Sequence, residues 1–201
     1  MSKYERINQL VSYLYKDKTG ILTSYEAVDI PIHENYFSSG YGEILFDAIP
    51  ILLSHYEFSE EDSILDLGSG IGRFCIEIFL ATTMKKVIGI ELENNRHQFA
   101  CQAKNQLQKY LSNENKSYRE LIFLQENIAN YNFNEVSVIY SCSLCFPAKL
   151  LKIISTKIEE SPNIKAVFSF NPLDLKKLTL KKEISIPTSW SDNEIIYFYS
   201  S

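Results

Sequence analysis

A glycine-rich turn between two acidic residues is the part of this sequence best suited to chemistry. The turn, residues 68–72, follows an apolar run that contains Asp66, and a second apolar run, residues 86–90, ends in Glu91. Gly68 and Gly70 allow a tight turn and close approach to a ligand, because glycine carries no Cβ. Two strand-end acids around such a turn indicate a site for a nucleoside cofactor.

The residues after the turn argue against two other nucleotide sites. A phosphate-binding P-loop would continue Gly-Lys-Ser/Thr, whereas this chain has Gly72-Arg73-Phe74. A dinucleotide-binding turn would normally carry its third glycine one residue beyond Gly72, where it allows close helix packing.

The composition is that of an ordinary globular domain. The chain has 201 residues, of which 45% are hydrophobic and 22% are charged, and this suits one compact domain. Because the formal net charge is −5, we expect no strong nucleic-acid binding. No lysine or arginine falls between Lys18 and Arg73, where acidic residues are frequent. An acidic face there would attract a cationic substrate, although a merely solvated surface explains the pattern equally well.

The apolar runs are too short to cross a bilayer, and no secretory leader is visible. We therefore expect no membrane partner, reduced cysteines and a cytoplasmic location, with export by a route lacking an N-terminal signal left open. Residues 142–145, Cys-Ser-Leu-Cys, have Cys-x-x-Cys spacing, but no histidine or second cysteine pair is placed to complete a zinc site. We expect no metal.

Hydrophobic periodicity predicts alternating helices and strands. Helices are predicted near 3–16, 43–56, 71–82, 95–112 and 147–160, and strands at 63–67, 86–91, 121–125, 136–140 and 165–170. Two terminal runs, 183–186 and 195–199, predict a β-hairpin. The alternation indicates an α/β fold with a mostly parallel sheet, helices on both faces and ligands beyond the carboxyl ends of the strands.

The glycine turn with Gly89-Ile90-Glu91 resembles the class I methyltransferases that use S-adenosylmethionine (SAM), and the terminal hairpin is usual in that class. The resemblance implies a Rossmann-like, seven-stranded sheet with SAM as cofactor. In this interpretation residues 1–42 supply an N-terminal helix and a cofactor and substrate loop. Residues 43–201 form the SAM-binding methyltransferase domain, and the whole chain is one compact unit.

Three further segments resemble the Dot1-like family of lysine methyltransferases. Residues 33–47 contain Tyr-Gly-Glu and Phe-Asp, residues 169–173 resemble the family's strand-end segment with proline, and Ser189-Trp190 precedes Tyr197 as in its Ser-Trp…Tyr segment. The resemblance spans about residues 33–199 and implies a partner protein that presents a lysine as methyl acceptor.

Chemistry and resemblance together assign the cofactor contacts. Glu91 would accept hydrogen bonds from both ribose hydroxyls, since a carboxylate pairs well with a vicinal diol. Asp66 would face the cationic amine of the methionine moiety, although it could instead cap the turn. The resemblance adds further contacts, for which ordinary loop or core roles remain open. These are Glu34 at the same amine, Tyr41 as a pocket wall, Arg73 after the turn, and Asn127 and Ile128 at the adenine.

The resemblance also implies an aromatic channel for the acceptor. A lysine attacks only as the neutral amine, and its reference pKa is about 10.4. An apolar channel lowers the pKa of a lysine by desolvation. Tyr36, Trp190 and Tyr197 are placed in this channel, although Trp190 could instead pack on the sheet edge.

One motif departs from the family. After the fourth strand the family has Asn-Asn-Phe-x-Phe, whereas this chain has Cys-Ser-Leu-Cys-Phe at 142–146. Cys142 thus replaces an asparagine near the reaction centre, and a thiol is a poor hydrogen-bonding substitute. The change predicts a substrate other than a histone, or weakened catalysis. Cys142 as a covalent nucleophile is disfavoured, because no histidine is placed to activate it.

The resemblance leads to a SAM-dependent lysine methyltransferase acting on a non-nucleosomal protein, since the sequence shows no strongly basic tail to grip DNA. Two alternatives remain open. One is a methyltransferase of a small molecule or RNA, and the other is a noncatalytic module that binds SAM or a protein partner.

Overall fold

The computed structural model describes residues 1–16, 18, 20, 41–111 and 119–201. Its elements, in chain order, are α1 (Lys3–Leu14), α2 (Ala48–Leu53), β1 (Ser63–Leu67), α3 (Arg73–Ala81), β2 (Lys86–Glu91), α4 (Asn94–Leu111), β3 (Glu120–Gln125), β4 (Val138–Ser141), α5 (Ala148–Glu160), β5 (Ala166–Ser169), β6 (Thr179–Ile186) and β7 (Glu194–Ser200). None of the helices in these ranges is long and apolar enough to span a membrane.

The strands form one seven-stranded sheet in the order β3-β2-β1-β4-β5-β7-β6. Strands β1 to β5 pair in parallel, whereas β7 is antiparallel to both β5 and β6. The predicted α/β fold with a terminal hairpin is therefore confirmed.

Each face of the sheet is covered by a separate apolar core. Side chains alternate along a strand, so Ile64 of β1 enters one core while Leu65 and Leu67 enter the other. Helices α1 to α4 contribute to the first core, and α5 covers the second with Ile154 and Ile158. Burial of each such Leu or Ile contributes about 1.5–3 kcal/mol.

The predicted helix at 43–56 is wrong at both ends, since α2 covers only Ala48–Leu53. Before it, Ile44 forms an isolated antiparallel bridge with Thr188, and the N–H of Leu45 donates to the carbonyl of Pro187 at 3.1 Å. The apolar spacing of this segment therefore reflects pairing with the tail as well as helix packing.

The N-terminal helix supports the glycine turn. Helix α1 begins with a capping box, in which Ser2 and Glu5 satisfy each other's backbone N–H groups. Just after the helix, the Tyr15 hydroxyl donates to the carbonyl of Ile71 at 3.0 Å. Residues 21–40, which contain most of the predicted cofactor and substrate loop, lie outside the described residues.

Candidate functional site

A cavity of about 390 Å³ opens at the carboxyl edge of the parallel strands, a volume typical of small-ligand sites. Residues at or after the ends of β1, β2, β3 and β4 line it. Because these strands lie in the order β3-β2-β1-β4, the cavity runs from Asn127 after β3 to Cys142 after β4. Three strand spacings correspond to roughly 14 Å.

The glycine turn is held against β2 by its own backbone. The N–H groups of Gly68 and Ser69 donate to the carbonyl of Ile90 at 2.9 and 2.8 Å. Gly70 has φ +55°, and a Cβ there would lie 2.6 Å from the Tyr41 ring. The turn therefore requires glycine both for its conformation and for the close approach of Tyr41.

The third glycine performs a packing role despite its displaced spacing. Gly72 has φ +81° and is the N-cap of α3. A Cβ at this position would lie 2.5 Å from Phe123 and 2.8 Å from Ala100. Close packing of α3 against β3 and α4 thus depends on Gly72. The sequence predicts no such role for Gly72, because its spacing does not match the third glycine of a dinucleotide-binding turn.

Glu91 is buried with both carboxylate oxygens oriented by the backbone. Oε2 accepts from the N–H of Gly70 at 2.9 Å, and Oε1 accepts from the N–H of Glu93 at 2.8 Å. Burial raises the pKa of Glu91, and these hydrogen bonds and the nearby Arg96 oppose that shift. Each oxygen retains a further lone pair, so the carboxylate can also accept from a vicinal diol.

Asp66 lies in the middle of the cavity, on β1, and is 2% exposed. Its Oδ2 accepts from the Cys75 thiol at 3.3 Å. Burial raises the pKa of Asp66 to about 7, the hydrogen bond from Cys75 lowers it, and the Glu91 charge raises it. A cationic amine bound beside Asp66 would favour its ionised form.

Tyr41 forms a wall of the cavity, where a hydrogen bond and a cation–π contact hold it. Its hydroxyl donates to Glu43, and the guanidinium of Arg96 lies 4.9 Å from the ring centroid. Arg73 also lines the cavity, where its Nη1 lies 3.6 Å from Glu43 Oε2 and its Nε donates to Glu77 Oε1 at 3.2 Å. Arg73 therefore restrains the Tyr41 wall in addition to facing the cavity.

The far end of the cavity, at Cys142, is apolar and aromatic. Phe74 and Tyr140 stack there with ring centroids 3.7 Å apart. Burial is the main cause that raises the pKa of the Cys142 thiol, and the charges of Asp66 and Cys145 add to it. A neutral, half-buried thiol is a poor nucleophile.

Trp190 covers this end from the β6–β7 turn and is 42% exposed. A Cβ on Gly42 would lie 2.4 Å from the indole ring, so the ring rests directly on the Gly42 backbone. The indole N–H donates to Glu194 Oε2 at 2.8 Å. We call this end of the cavity, formed by Gly42, Cys142 and Trp190, the acceptor end, after the acceptor channel that the resemblance implies.

Backbone contacts fasten the turn that carries Trp190 to the segment that carries Tyr41. The N–H of Ser189 donates to the carbonyl of Glu43 at 2.8 Å, and the Ser189 hydroxyl accepts from the N–H of Glu43 at 3.1 Å. The two walls of the cavity are therefore one connected unit, although 146 residues separate Ser189 from Glu43.

The segment after β4 is likewise tied to the segment after β5. The side-chain amide of Asn171 donates to the carbonyl of Ser143 at 2.6 Å, and the N–H of Asn171 donates to the Ser143 hydroxyl at 3.2 Å. These bonds position the backbone beside Cys142.

The structure brings most of the predicted site residues to this one cavity. Those that line it are Tyr41, Asp66, Gly68, Gly70, Arg73, Glu91, Asn127, Ile128, Cys142 and Trp190. Asn127 Oδ1 already accepts from the N–H of Ala129 at 2.9 Å. Ile128 also belongs to the core under α5, so its predicted roles in the cavity and in the core are compatible.

One predicted residue is not brought there, and two others lie outside the described residues. Tyr197 packs against the core under α5 and is not among the described residues that line the cavity. Glu34 and Tyr36 lie outside the described residues. The sequence reasoning missed Arg96, Phe74 and Tyr140, which carry no motif signal of their own and reach the cavity through α4, α3 and β4.

Comparison with known families and proteins gives a consistent result. The family model described as histone methylation protein DOT1 matches residues 24–181. Two curated relatives are histone-lysine N-methyltransferases specific for H3 lysine 79. The Caenorhabditis elegans protein is 26% identical over 131 residues, which are 63% of this chain and 14% of that protein. The Drosophila melanogaster protein is 31% identical over 68 residues, 34% of this chain and 4% of that protein. The chain thus spans a small fraction of the length of these relatives.

Solved structures share the fold at low sequence identity. An RNA methyltransferase from Salinibacter ruber in complex with S-adenosyl-L-homocysteine has a TM-score of 0.53 at 18% identity, covering 77% of this chain and 90% of that one. A putative RNA methyltransferase from Pyrococcus horikoshii has a TM-score of 0.53 at 16% identity, covering 100% and 97%. The magnesium protoporphyrin IX methyltransferase of Synechocystis, with bound S-adenosylhomocysteine, has a TM-score of 0.55 at 12% identity, covering 77% and 80%. The predicted class I methyltransferase fold is confirmed.

The cavity fits the cofactor of this class. Glu91 offers an oriented carboxylate for a diol, and Asp66 offers a carboxyl for an amine. The hydroxyl of Ser69, which also lines the cavity, is buried without a hydrogen-bond partner in the described part of the chain. These groups fit S-adenosylmethionine, the predicted cofactor, and its product S-adenosylhomocysteine is bound in the Salinibacter ruber and Synechocystis structures.

Proposed function

Because this chain belongs to the DOT1 family of histone methylation proteins, and is a SAM-dependent methyltransferase, we propose that it methylates lysine side chains of a protein other than the nucleosome. The observation that carries the proposal is the continuity of the cavity. One end carries groups suited to a nucleoside, and the acceptor end is aromatic.

The order of the strands gives the cofactor its direction. Glu91 and Asn127 follow β2 and β3, whereas Cys142 follows β4 on the other side of Asp66. Glu91 would hold the ribose, Asn127 and Ile128 the base, and Asp66 the amino-acid part, so that the methyl group would be offered on the side of Cys142. SAM supplies a methyl group on a positively charged sulfur, and these residues orient it.

The acceptor end suits an amine that must lose its proton before it reacts. Phe74, Tyr140 and the ring of Trp190 present aromatic surface there. Desolvation by such surface lowers the pKa of a lysine and favours the neutral amine that attacks. Positioning the amine against the methyl group then provides most of the rate enhancement in an in-line displacement.

Two features support a substrate other than the nucleosome. The net charge is −5, and nucleosome binding relies on neutralising DNA phosphates. Cys142 stands where the resemblance places an asparagine, and its neutral thiol is a weak hydrogen-bond donor. The acceptor end therefore differs chemically from the one that the family motif implies.

An experiment with fractionated acceptors tests this proposal. The protein and SAM with a labelled methyl group are incubated with one acceptor fraction at a time. The four fractions are purified nucleosomes, nucleic-acid-free protein extract, RNA and small metabolites. We expect label in one or a few bands of the protein extract and little in nucleosomes. Label mainly in RNA or in small molecules would overturn the choice of acceptor. Normal SAM binding without label in any fraction would instead indicate a noncatalytic module.

A further inference from the structure

Glu194, the first residue of β7, lies beside the acceptor end of the cavity. Its carboxylate accepts the indole N–H of Trp190 at 2.8 Å, and it is partly buried. Trp190 is the single tryptophan of the chain and rests on Gly42. Glu194 therefore helps to determine where the outer wall of the acceptor end stands.

We propose that Glu194 is a specificity-determining residue, which holds the Trp190 ring over Gly42 and supplies the negative charge that draws cationic amines to the acceptor end. This inference rests on the proposed function, because it explains how a lysine ammonium is selected before it reaches the aromatic interior.

Two of the other carboxylates around the cavity, Glu43 and Glu91, already have cationic or backbone partners. Glu43 faces Arg73 and accepts from the Tyr41 hydroxyl. Glu91 accepts from two backbone N–H groups. Asp66 sits deep between them, where the amine of the cofactor is expected.

Glu194 differs from these groups. No lysine or arginine in the described ranges lies within ion-pair distance of its carboxylate. Its hydrogen bond to a neutral indole leaves the full negative charge in place. The charge also reaches the cavity, because Glu194 is among the groups that raise the pKa of the Cys142 thiol, after burial and the larger effects of Asp66, Cys145 and Glu43.

The position of the charge determines which kinetic constant it affects. At the rim, beside a half-exposed Trp190, a carboxylate attracts the ammonium form of a lysine. The ammonium then gives its proton to solvent water at the rim, and the neutral amine moves in beside the stacked rings of Phe74 and Tyr140. Removing the charge should therefore weaken acceptor binding and raise KM, and leave kcat nearly unchanged.

Two substitutions separate the charge from the hydrogen bond. Glu194→Gln removes the charge and keeps an oxygen that accepts the indole N–H, whereas Glu194→Ala removes both. Asp192→Asn is the matched control, since Asp192 lies in the same turn and is exposed, and the change removes one negative charge away from the indole.

The test uses binding, so that it does not depend on turnover. The protein loaded with S-adenosylhomocysteine is titrated with Nα-acetyl-lysine methylamide and with its uncharged analogue Nα-acetyl-norleucine methylamide, and Trp190 fluorescence is recorded. We expect the native protein to prefer the lysine probe. Glu194→Gln should lose roughly 2- to 5-fold of that preference with an unchanged emission maximum. Glu194→Ala should also shift the emission of Trp190, and Asp192→Asn should resemble the native protein.

Each outcome separates this inference from the proposed function. Equal binding of the two probes by the native protein, or equal effects of Glu194→Gln and Asp192→Asn, would overturn the role of Glu194. If a lysine peptide is nevertheless methylated normally, the proposed function stands. If the lysine probe is preferred through Glu194 and no lysine is ever methylated, the charge selection stands and the proposed reaction fails.

Discussion

Replacement of Glu91 by glutamine is the sharpest perturbation of the cofactor site. In the native protein both Glu91 oxygens accept backbone N–H groups, from Gly70 and Glu93, and the remaining lone pairs face the cavity. In Glu91→Gln one oxygen becomes an NH₂ group, so a donor must face a backbone donor or rotate toward the ligand. The negative charge that strengthens the ribose hydrogen bonds is also lost.

The expected loss follows from these contacts. A hydrogen bond to a charged group contributes about 1.5–3 kcal/mol. Weakening two of them should cost about 2–4 kcal/mol, which raises the Kd of SAM roughly 30- to 1000-fold. Stability should change far less, because burial already raises the pKa of Glu91 and a neutral amide avoids that desolvation cost.

Calorimetric titration with SAM and urea unfolding measure the two effects separately. Glu93→Gln is the control, since Glu93 is equally buried and accepts the N–H groups of Asn95 and Arg96 at 2.9 and 2.7 Å, but does not line the cavity. We expect the control to bind SAM within about threefold of the native protein, or less than about 1 kcal/mol. Equal loss of SAM affinity in both variants, or none in Glu91→Gln, would refute the assignment of Glu91 to the ribose.

Three further predictions concern other parts of the site. Gly42→Ala should displace the Trp190 indole, because the new Cβ would lie 2.4 Å from the ring. Single-turnover assays should show slower methyl transfer, and fluorescence should show a shift in the Trp190 emission. In a Trp190→Ala background the same change should have little effect on methyl transfer. Burial raises the pKa of Asp66 to about 7, and only its ionised form pairs with the cationic amine. As the pH is raised toward 7, SAM affinity should therefore increase by up to about tenfold per pH unit, and it should level off above pH 7; titrations of Asp66→Asn should show no such increase. Burial raises the pKa of Glu77 to about 8, so its ionisation between about pH 4.5 and pH 8 should lower the free energy of unfolding by at most about 1.4 kcal/mol per pH unit. Glu77→Gln should remove that contribution, so the urea midpoint should fall less between pH 6 and pH 9 in the variant than in the native protein. An equal fall in both proteins would contradict the reasoning.

The parts of the site that the sequence predicts best are those governed by local rules. A run of buried residues before a glycine turn places Asp66 at a strand end, and the following strand places Glu91 at the neighbouring end. Carboxyl ends of parallel strands meet at one edge of a sheet. Hydrophobic spacing and strand alternation are therefore sufficient to predict that Asp66 and Glu91 lie close together.

The parts that were missed depend on contacts between distant segments. The bridge between Ile44 and Thr188 converts the start of a predicted helix into paired backbone, and the apolar spacing of that segment does not distinguish the two. The packing of Trp190 on Gly42 joins the tail to the segment before β1. Arg73 was predicted beside the cofactor, but its ionic contact with Glu43 depends on the same long-range closure.

The most direct test of the whole account is the chemical form of the transferred methyl group. The protein is incubated with methyl-labelled SAM and nucleic-acid-free protein extract, the labelled product is hydrolysed, and its amino acids are separated, with Asp66→Ala as the inactive reference. We expect the label to be recovered as methyl-lysine and to be absent from the Asp66→Ala reaction. Label recovered in any other amino acid, or equal methyl-lysine from both proteins, would contradict the account.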